Sequence, residues 1–302
     1  MPRVDRLIAK TPINRALRRR ASSSLAVLAY HGVDDPDSFS RQLDHLQREY
    51  LPLTLDELEG FVTRNEAPPP RSVLITFDDG HRTVLDPGLP LLRERGLPAV
   101  AFVLTGLLDT DDPFWWDEVE DLVAAGGSCA ALTGLSGPEA VRAIKRMPDD
   151  ARLAVIDGLR ATATRPAARR VHLRADELAV LESGGVAVAS HTVTHPMLSE
   201  CAPGKVRDEL GRSRERLQQI LGCAPRSFAY PNGGTDEHVT AAARDAGYEL
   251  AFLFDHRLNP TPIVEPMRIS RVRVNSTTPM ARFEGILSGL HPWVHHRVFR
   301  RS

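Results

Sequence analysis

Six short apolar runs, at residues 25–30, 73–77, 99–104, 186–189, 228–230 and 250–254, constrain this chain most. Helical patterns separate several of them: Phe39, Leu43 and Leu46; Leu89, Leu91 and Leu92 before Gly96; Leu178 and Leu181 before Gly184; Leu210, Leu217, Ile220 and Leu221 before Gly222; and Val239 to Ala246 before Gly247. A glycine just past a helical pattern signals a C-cap, because glycine takes the left-handed cap conformation without a steric penalty. Strands that are apolar on both faces need helices on both faces. The alternation therefore predicts an α/β fold around a parallel sheet, for which a closed barrel is one form.

Residues 109–175 break the rhythm. They hold Phe114, Trp115 and Trp116, a Gly/Ser/Ala-rich piece at 124–137 and a mostly polar helical pattern, and they read as an insertion over one end of the sheet. The domain reading is a basic N-terminal tail or amphipathic helix at 1–24, one main domain at 25–285 and a basic C-terminal tail at 286–302. No apolar run approaches about 18 residues, which excludes a transmembrane helix. No signal-peptide pattern opens the chain, so the expected compartment is the cytoplasm. Cys129, Cys201 and Cys223 are odd in number with no CxxC spacing, which argues against a disulfide framework. Cys201 and Cys223 read as ordinary small buried residues.

A net charge of −1 conceals an asymmetry. Residues 1–24 carry a net +6 and residues 297–302 a net +3, which leaves −10 on the body between them. An acidic body repels phosphates and argues against nucleic acid as a partner. The basic N-terminus suggests peripheral attachment to an anionic membrane face, at the inner side of the membrane.

In α/β folds chemistry collects at the carboxyl ends of parallel strands. The polar residues there are Tyr30-His31-Gly32, Asp78-Asp79-Gly80-His81, Ser190-His191-Thr192-Val193-Thr194-His195-Pro196 and Pro231-Asn232-Gly233-Gly234. One carboxylate and two histidines make the protein part of an open catalytic zinc site, and the second carboxylate is then free to act as a base.

Thr76-Phe77-Asp78-Asp79-Gly80 resembles the first motif of the polysaccharide deacetylases (carbohydrate esterase family four, the NodB-homology domain). The segment from Ser190 to Pro196 resembles the second, and Phe228-Ala229-Tyr230-Pro231-Asn232-Gly233 a variant of the third. Leu28-Ala29-Tyr30-His31-Gly32-Val33 is similar to the leading strand of the bacterial exopolysaccharide branch. The resemblance covers roughly 25–275 and implies a distorted (β/α) barrel of about seven strands with an inserted cap. It implies metal-dependent removal of acetyl groups from N-acetylated sugars, with a divalent metal, zinc first, held by Asp79, His191 and His195. Asp78 would be the general base toward a water whose pKa the metal lowers. The backbone N–H near Asn232 would bind the oxyanion, and His31 would be the general acid. Tyr230, Pro231, Trp115 and Trp116 would meet the sugar, and Gly233-Gly234 would let the chain approach it closely.

The chain departs from the family pattern in two places. Ala229 stands where an Arg often orients the base, and the usual C-terminal Leu-x-x-His is replaced by a run ending at His291, read as a surface residue. Arg268 or Arg271 is a candidate for the missing Arg, and His81 for an additional site residue. Two other functions stay open: an O-acetyl carbohydrate esterase, and a catalytically degenerate glycan-binding barrel.

Overall fold

The computed structural model describes residues 21–289. Most of the two basic ends, and His291, lie outside the described residues.

The strands are β1 (Ser24–Tyr30), β2 (Leu51–Pro52), β3 (Ser72–Phe77), β4 (Ala99–Val103), β5 (Val186–Ser190), β6 (Ser227–Ala229), β7 (Leu250–Phe252), β8 (Asn259–Pro260) and β9 (Val272–Arg273). The helices are α1 (Pro36–Glu49), α2 (Leu55–Thr63), α3 (Gly88–Glu94), α4 (Trp115–Ala124), α5 (Gly137–Ile144), α6 (Asp149–Thr162), α7 (Ala175–Ser183), α8 (Pro203–Leu221), α9 (Glu237–Asp245) and α10 (Met280–Leu287). Local chemistry sets their ends. The Asp35 carboxylate caps α1 by accepting the Ser38 N–H, and Pro36 opens its first turn. Gly222 closes α8 at φ +80°. After α7 the left-handed residue is Gly185, at φ +90°, one position later than the sequence pattern suggested.

The hydrogen-bonded strand order is β7-β6-β5-β4-β3-β1-β8. Neighbours from β7 to β1 are parallel, and only β8 runs antiparallel, against β1. The segment 269–273 joins β7 to β1, the two ends of the parallel run. Ile269 bridges Phe252 of β7, while Val272 and Arg273 pair with Leu28 and Ala29 of β1. Seven parallel staves, β1, β3 to β7 and β9, thus surround the interior as a distorted (β/α) barrel.

Period-two alternation divides each stave between two cores. Leu25 and Val27 point to an inner cluster with Leu74, Val100, Phe102, Ala229 and Phe252. Ala26, Leu28 and Tyr30 point to an outer layer beneath Phe39, Leu43 and Leu46 of α1. Full burial of each such Leu, Val or Phe contributes about 1.5–3 kcal/mol.

Between β4 and β5, helices α4 to α6 build a core of their own around Trp115, Val119, Leu122, Ala140, Ile144, Ile156 and Leu159. Two expectations change. Ile286 and Leu287 are buried within α10, so packed structure continues past residue 285. Cys223 is exposed and Cys201 only partly buried, because Cys223 follows the exposed C-terminus of α8 and not a core strand. No helix among the described residues is long and apolar enough to cross a membrane.

Candidate active site

The carboxyl ends of β1, β3, β5 and β6 converge on one cleft of about 510 Å³. Asp78 follows β3 directly and extends its ladder, donating its N–H to the Tyr30 carbonyl at 2.9 Å. The chain then turns through left-handed Asp79 (φ +70°) and Gly80 (φ +76°). A non-glycine residue held there stores local strain, as residues at functional sites often do. Both carboxylates are buried.

The second histidine segment leaves β5 through a strained loop, with Thr192 at φ +76° and His195 at φ +56°. Several contacts hold it. Glu209 of α8 accepts the N–H groups of Val193 and Thr194, each at 2.8 Å, and the Thr194 hydroxyl at 2.6 Å. The Trp115 indole N–H donates to the His195 carbonyl at 3.0 Å. Gly106 lies against the loop so closely that a Cβ there would sit 2.6 Å from the Val193 carbonyl oxygen.

Asp79, His191 and His195 form a group whose donor atoms all lie within 4.8 Å of one another. Asp79 Oδ1 is 3.4 Å from His191 Nε2 and 3.7 Å from His195 Nε2. His191 Nδ1–H donates to the Ala229 carbonyl at 2.8 Å, which leaves Nε2 turned toward Asp79. Asp79 Oδ1 is buried without a hydrogen-bond partner, and so is His195 Nδ1. An orphaned carboxylate oxygen facing two imidazoles costs free energy unless something else satisfies it. One carboxylate and two histidines fit a divalent cation with open positions. Burial pushes His195 down to about 3, with the neighbouring His191 acting in the same direction, so its ring is neutral and able to ligate. Burial opposes charge on His191 as well, but Asp78 and Asp79 outweigh it and raise its pKa. Burial would raise the Asp79 carboxyl, yet the facing His191, His195 and His31 rings hold it well below the usual range.

Arg271 occupies the place of the missing Arg. Fully buried, it holds Asp78 with two hydrogen bonds, Nη1 to Oδ1 at 2.6 Å and Nη2 to Oδ2 at 2.8 Å. Its Nε donates to the Leu253 carbonyl, and its guanidinium lies over Phe102. Burial would raise the Asp78 carboxyl, but the Arg271 charge holds it below its ordinary value. Arg268 faces Glu265 at 3.5 Å instead.

The third motif is more divided than its sequence suggested. Tyr230 is fully buried, and its hydroxyl donates to the Met267 carbonyl, so its side chain is core and does not line the cleft. Strand alternation explains this: Phe228 and Tyr230 point to the outer layer, while Ala229 points inward. Pro231 is buried beside it and is not a cleft-lining residue. Asn232 does line the cleft, in a left-handed conformation at φ 53°. The N–H groups of Gly233 and Gly234 donate to the Tyr230 and Pro231 carbonyls, whereas the Asn232 N–H donates to no protein group among the described residues. Gly233 is required for another reason than approach to a ligand. A Cβ there would sit 2.2 Å from the Phe254 backbone nitrogen.

His31 lines the cleft with Nε2 4.0 Å from Asp79 Oδ2, and His81 faces the same oxygen at 3.9 Å. The two tryptophans separate. Trp115 is buried in the cap core, while Trp116 reaches the cleft, stacked on Phe114 and edge-on to His195 at 4.7 Å.

Glu209 and Lys145 escaped the sequence reading. Glu209 had a faint signal, a charged residue on the buried stripe of α8 with Val206, Leu210 and Ser213. Glu209→Ala releases the loop carrying both histidines, so metal affinity is expected to fall by about 10–100-fold. Chelator competition measures this, and unchanged affinity would remove Glu209 from that role.

A sequence model of the family described as polysaccharide deacetylase matches residues 65–134 and 151–251. Bacillus subtilis (strain 168) YxkH, a polysaccharide deacetylase by name, is 19% identical over 242 residues, covering 78% of this chain and 66% of its own. The Streptococcus pyogenes deacetylase PplD, solved in complex with acetate, superposes with a TM-score of 0.60 at 18% identity, over 87% of this chain and 98% of its own. IcaB from Ammonifex degensii superposes with a TM-score of 0.61 at 21% identity, over 88% and 96%. With more than half of its length matched by the family model and the family's barrel around the paired carboxylates and histidines, the chain belongs to the polysaccharide deacetylase family of hydrolases.

Proposed function

We propose that the protein hydrolyses the acetamide of an N-acetylated sugar within a poly- or oligosaccharide. The observation that carries this is the unpartnered Asp79 oxygen facing two histidines, with an Arg271-held Asp78 beside it in the same cleft. Asp79, His191 and His195 would hold a divalent cation, zinc first, although His/His/Asp sites accept several metals. When bound, it would lower the pKa of a water and polarise the acetyl carbonyl.

The residues then divide the work. Asp78, kept ionised and oriented by Arg271, accepts the proton of the attacking water. The new bond joins the water oxygen to the acetyl carbon, and the Asn232 N–H donates to the oxyanion that forms. As the carbon–nitrogen bond breaks, His31 protonates the departing amine. Trp116 offers an aromatic face to a sugar ring and shields the cleft from bulk water.

The same constellation attacks an acetyl ester, so the substrate decides between amide and ester. Purified protein is expected to release acetate from N-acetylated oligosaccharides such as chitooligosaccharides, and His195→Ala to abolish that release without unfolding. Release from acetylxylan alone would turn the reading to ester hydrolysis. Release undiminished in the variant would overturn it.

A further inference from the structure

The cap does more than cover the barrel. Lys145, at the C-terminal end of α5, enters the same cleft as Asp79, His191 and His195. Its ammonium donates to the Asn232 side-chain carbonyl at 2.9 Å. Arg273 lines the cleft too. It lies two residues beyond Arg271, so period two places both arginines on one side of their segment. Arg271 is used up on Asp78, and Arg273 is not.

Several cap arginines have carboxylate partners: Arg152 with Asp149, Arg160 with Glu118 and Arg170 with Asp117. Lys145 and Arg273 have none within ion-pair distance among the described residues. Among the described residues, the one hydrogen bond of Lys145 goes to a neutral amide. The cleft's acids are mostly committed elsewhere, and Asp79 is the one whose charge reaches Lys145. Asp78 is bound to Arg271, Asp79 faces the histidines, Asp34 acts on His81, and Glu120 sits on the exposed rim. A divalent cation at Asp79 would leave this wall more positive still. Half-buried Lys145 carries a desolvation cost without an anion, exposed Arg273 adds its charge beside it, and a ligand anion satisfies both.

We propose that Lys145 and Arg273 form an anion-recognition wall, and that the preferred substrate is an acetylated sugar bearing a carboxylate or a phosphate. This rests on the deacetylase reading only for where the acetyl group sits. The recognition itself is testable without turnover.

The test is equilibrium binding of N-acetylglucosamine, its uronate and its 6-phosphate to the full-length zinc-loaded protein, with acetate release followed in the same samples. At least one anionic sugar is expected to bind tenfold or more tightly than the neutral parent. The preference should shrink with added salt and fall below about threefold in the double variant Lys145→Met, Arg273→Gln. The tighter of the two anions identifies the group recognised. Equal binding of all three sugars overturns the proposal. So does a preference that survives in the double variant, because the metal would then be the anion's partner. An anion preference without acetate release would leave the wall standing and defeat the deacetylase reading, so the two claims fail separately.

Discussion

Arg271→Met is expected to destabilise the protein by about 3–5 kcal/mol, because it strands a buried carboxylate that now has two charged hydrogen bonds. Methionine fills much of the volume but offers no donor. Asp78 can then escape only by taking a proton or by unfolding the barrel mouth. The pH dependence has a definite sign. The Asp78 carboxyl is held below its ordinary value of 3.8, so the pair stabilises the native protein above about pH 4 and loses that contribution as pH falls through the lower folded value. Without Arg271, burial raises Asp78 against only the weaker pull of His191 and His31. The stability gap between the two proteins should therefore narrow on acidification, and the acidic limb of the activity profile should move to higher pH. Urea denaturation across pH measures the first and kcat/KM profiles the second. Arg271→Lys should recover only part, since a lysine cannot reproduce the two-pronged contact. A Met variant as stable as the parent at pH 7 would show that Asp78 is not charged in the folded protein.

Asp78→Asn removes the proton acceptor proposed above and is expected to lower kcat by roughly 10²–10⁴-fold with little change in KM. Metal content should stay unchanged, because Asp78 turns both oxygens to Arg271 and is not one of the grouped donors. The variant also leaves Arg271 buried without its anion, so the measurement belongs well below the lowered melting temperature. A variant that kept wild-type kcat would move the base elsewhere, and one that lost metal would put Asp78 among the ligands.

How legible each part was depended on the distance over which its chemistry is organised. The βα alternation and the polar residues at strand ends are local features. Thus the staves, Asp78-Asp79 and the His191/His195 pair could be read directly from the chain. Closure of the barrel could not, because it depends on a two-residue strand and a single bridge at Ile269. Arg271 was one of two candidates, and only the barrel's closure decides that it, and not Arg268, reaches Asp78. Trp115 and Trp116 looked equivalent as neighbours, but successive helical residues point about 100° apart. One therefore faces the cap core and the other the cleft. Lys145 meets Asn232 across 87 residues, and no pattern near either one announces the contact. Glu209 is similar: its charge was visible, but the donors it accepts from lie on a loop whose shape depends on left-handed Thr192 and His195. Gly233 also answers a demand that the sequence did not show: it yields space to the Phe254 backbone.

The central claim is that Asp79, His191 and His195 together hold one metal on which hydrolysis depends. The most direct test is to strip the protein with a chelator and titrate zinc back while acetate release is followed. Activity is expected to be absent at the start, to rise in proportion to added zinc and to level off at about one equivalent per chain, with His191→Ala failing to recover. Full acetate release by the stripped protein, or recovery in the His191→Ala variant equal to that of the parent, would contradict the account.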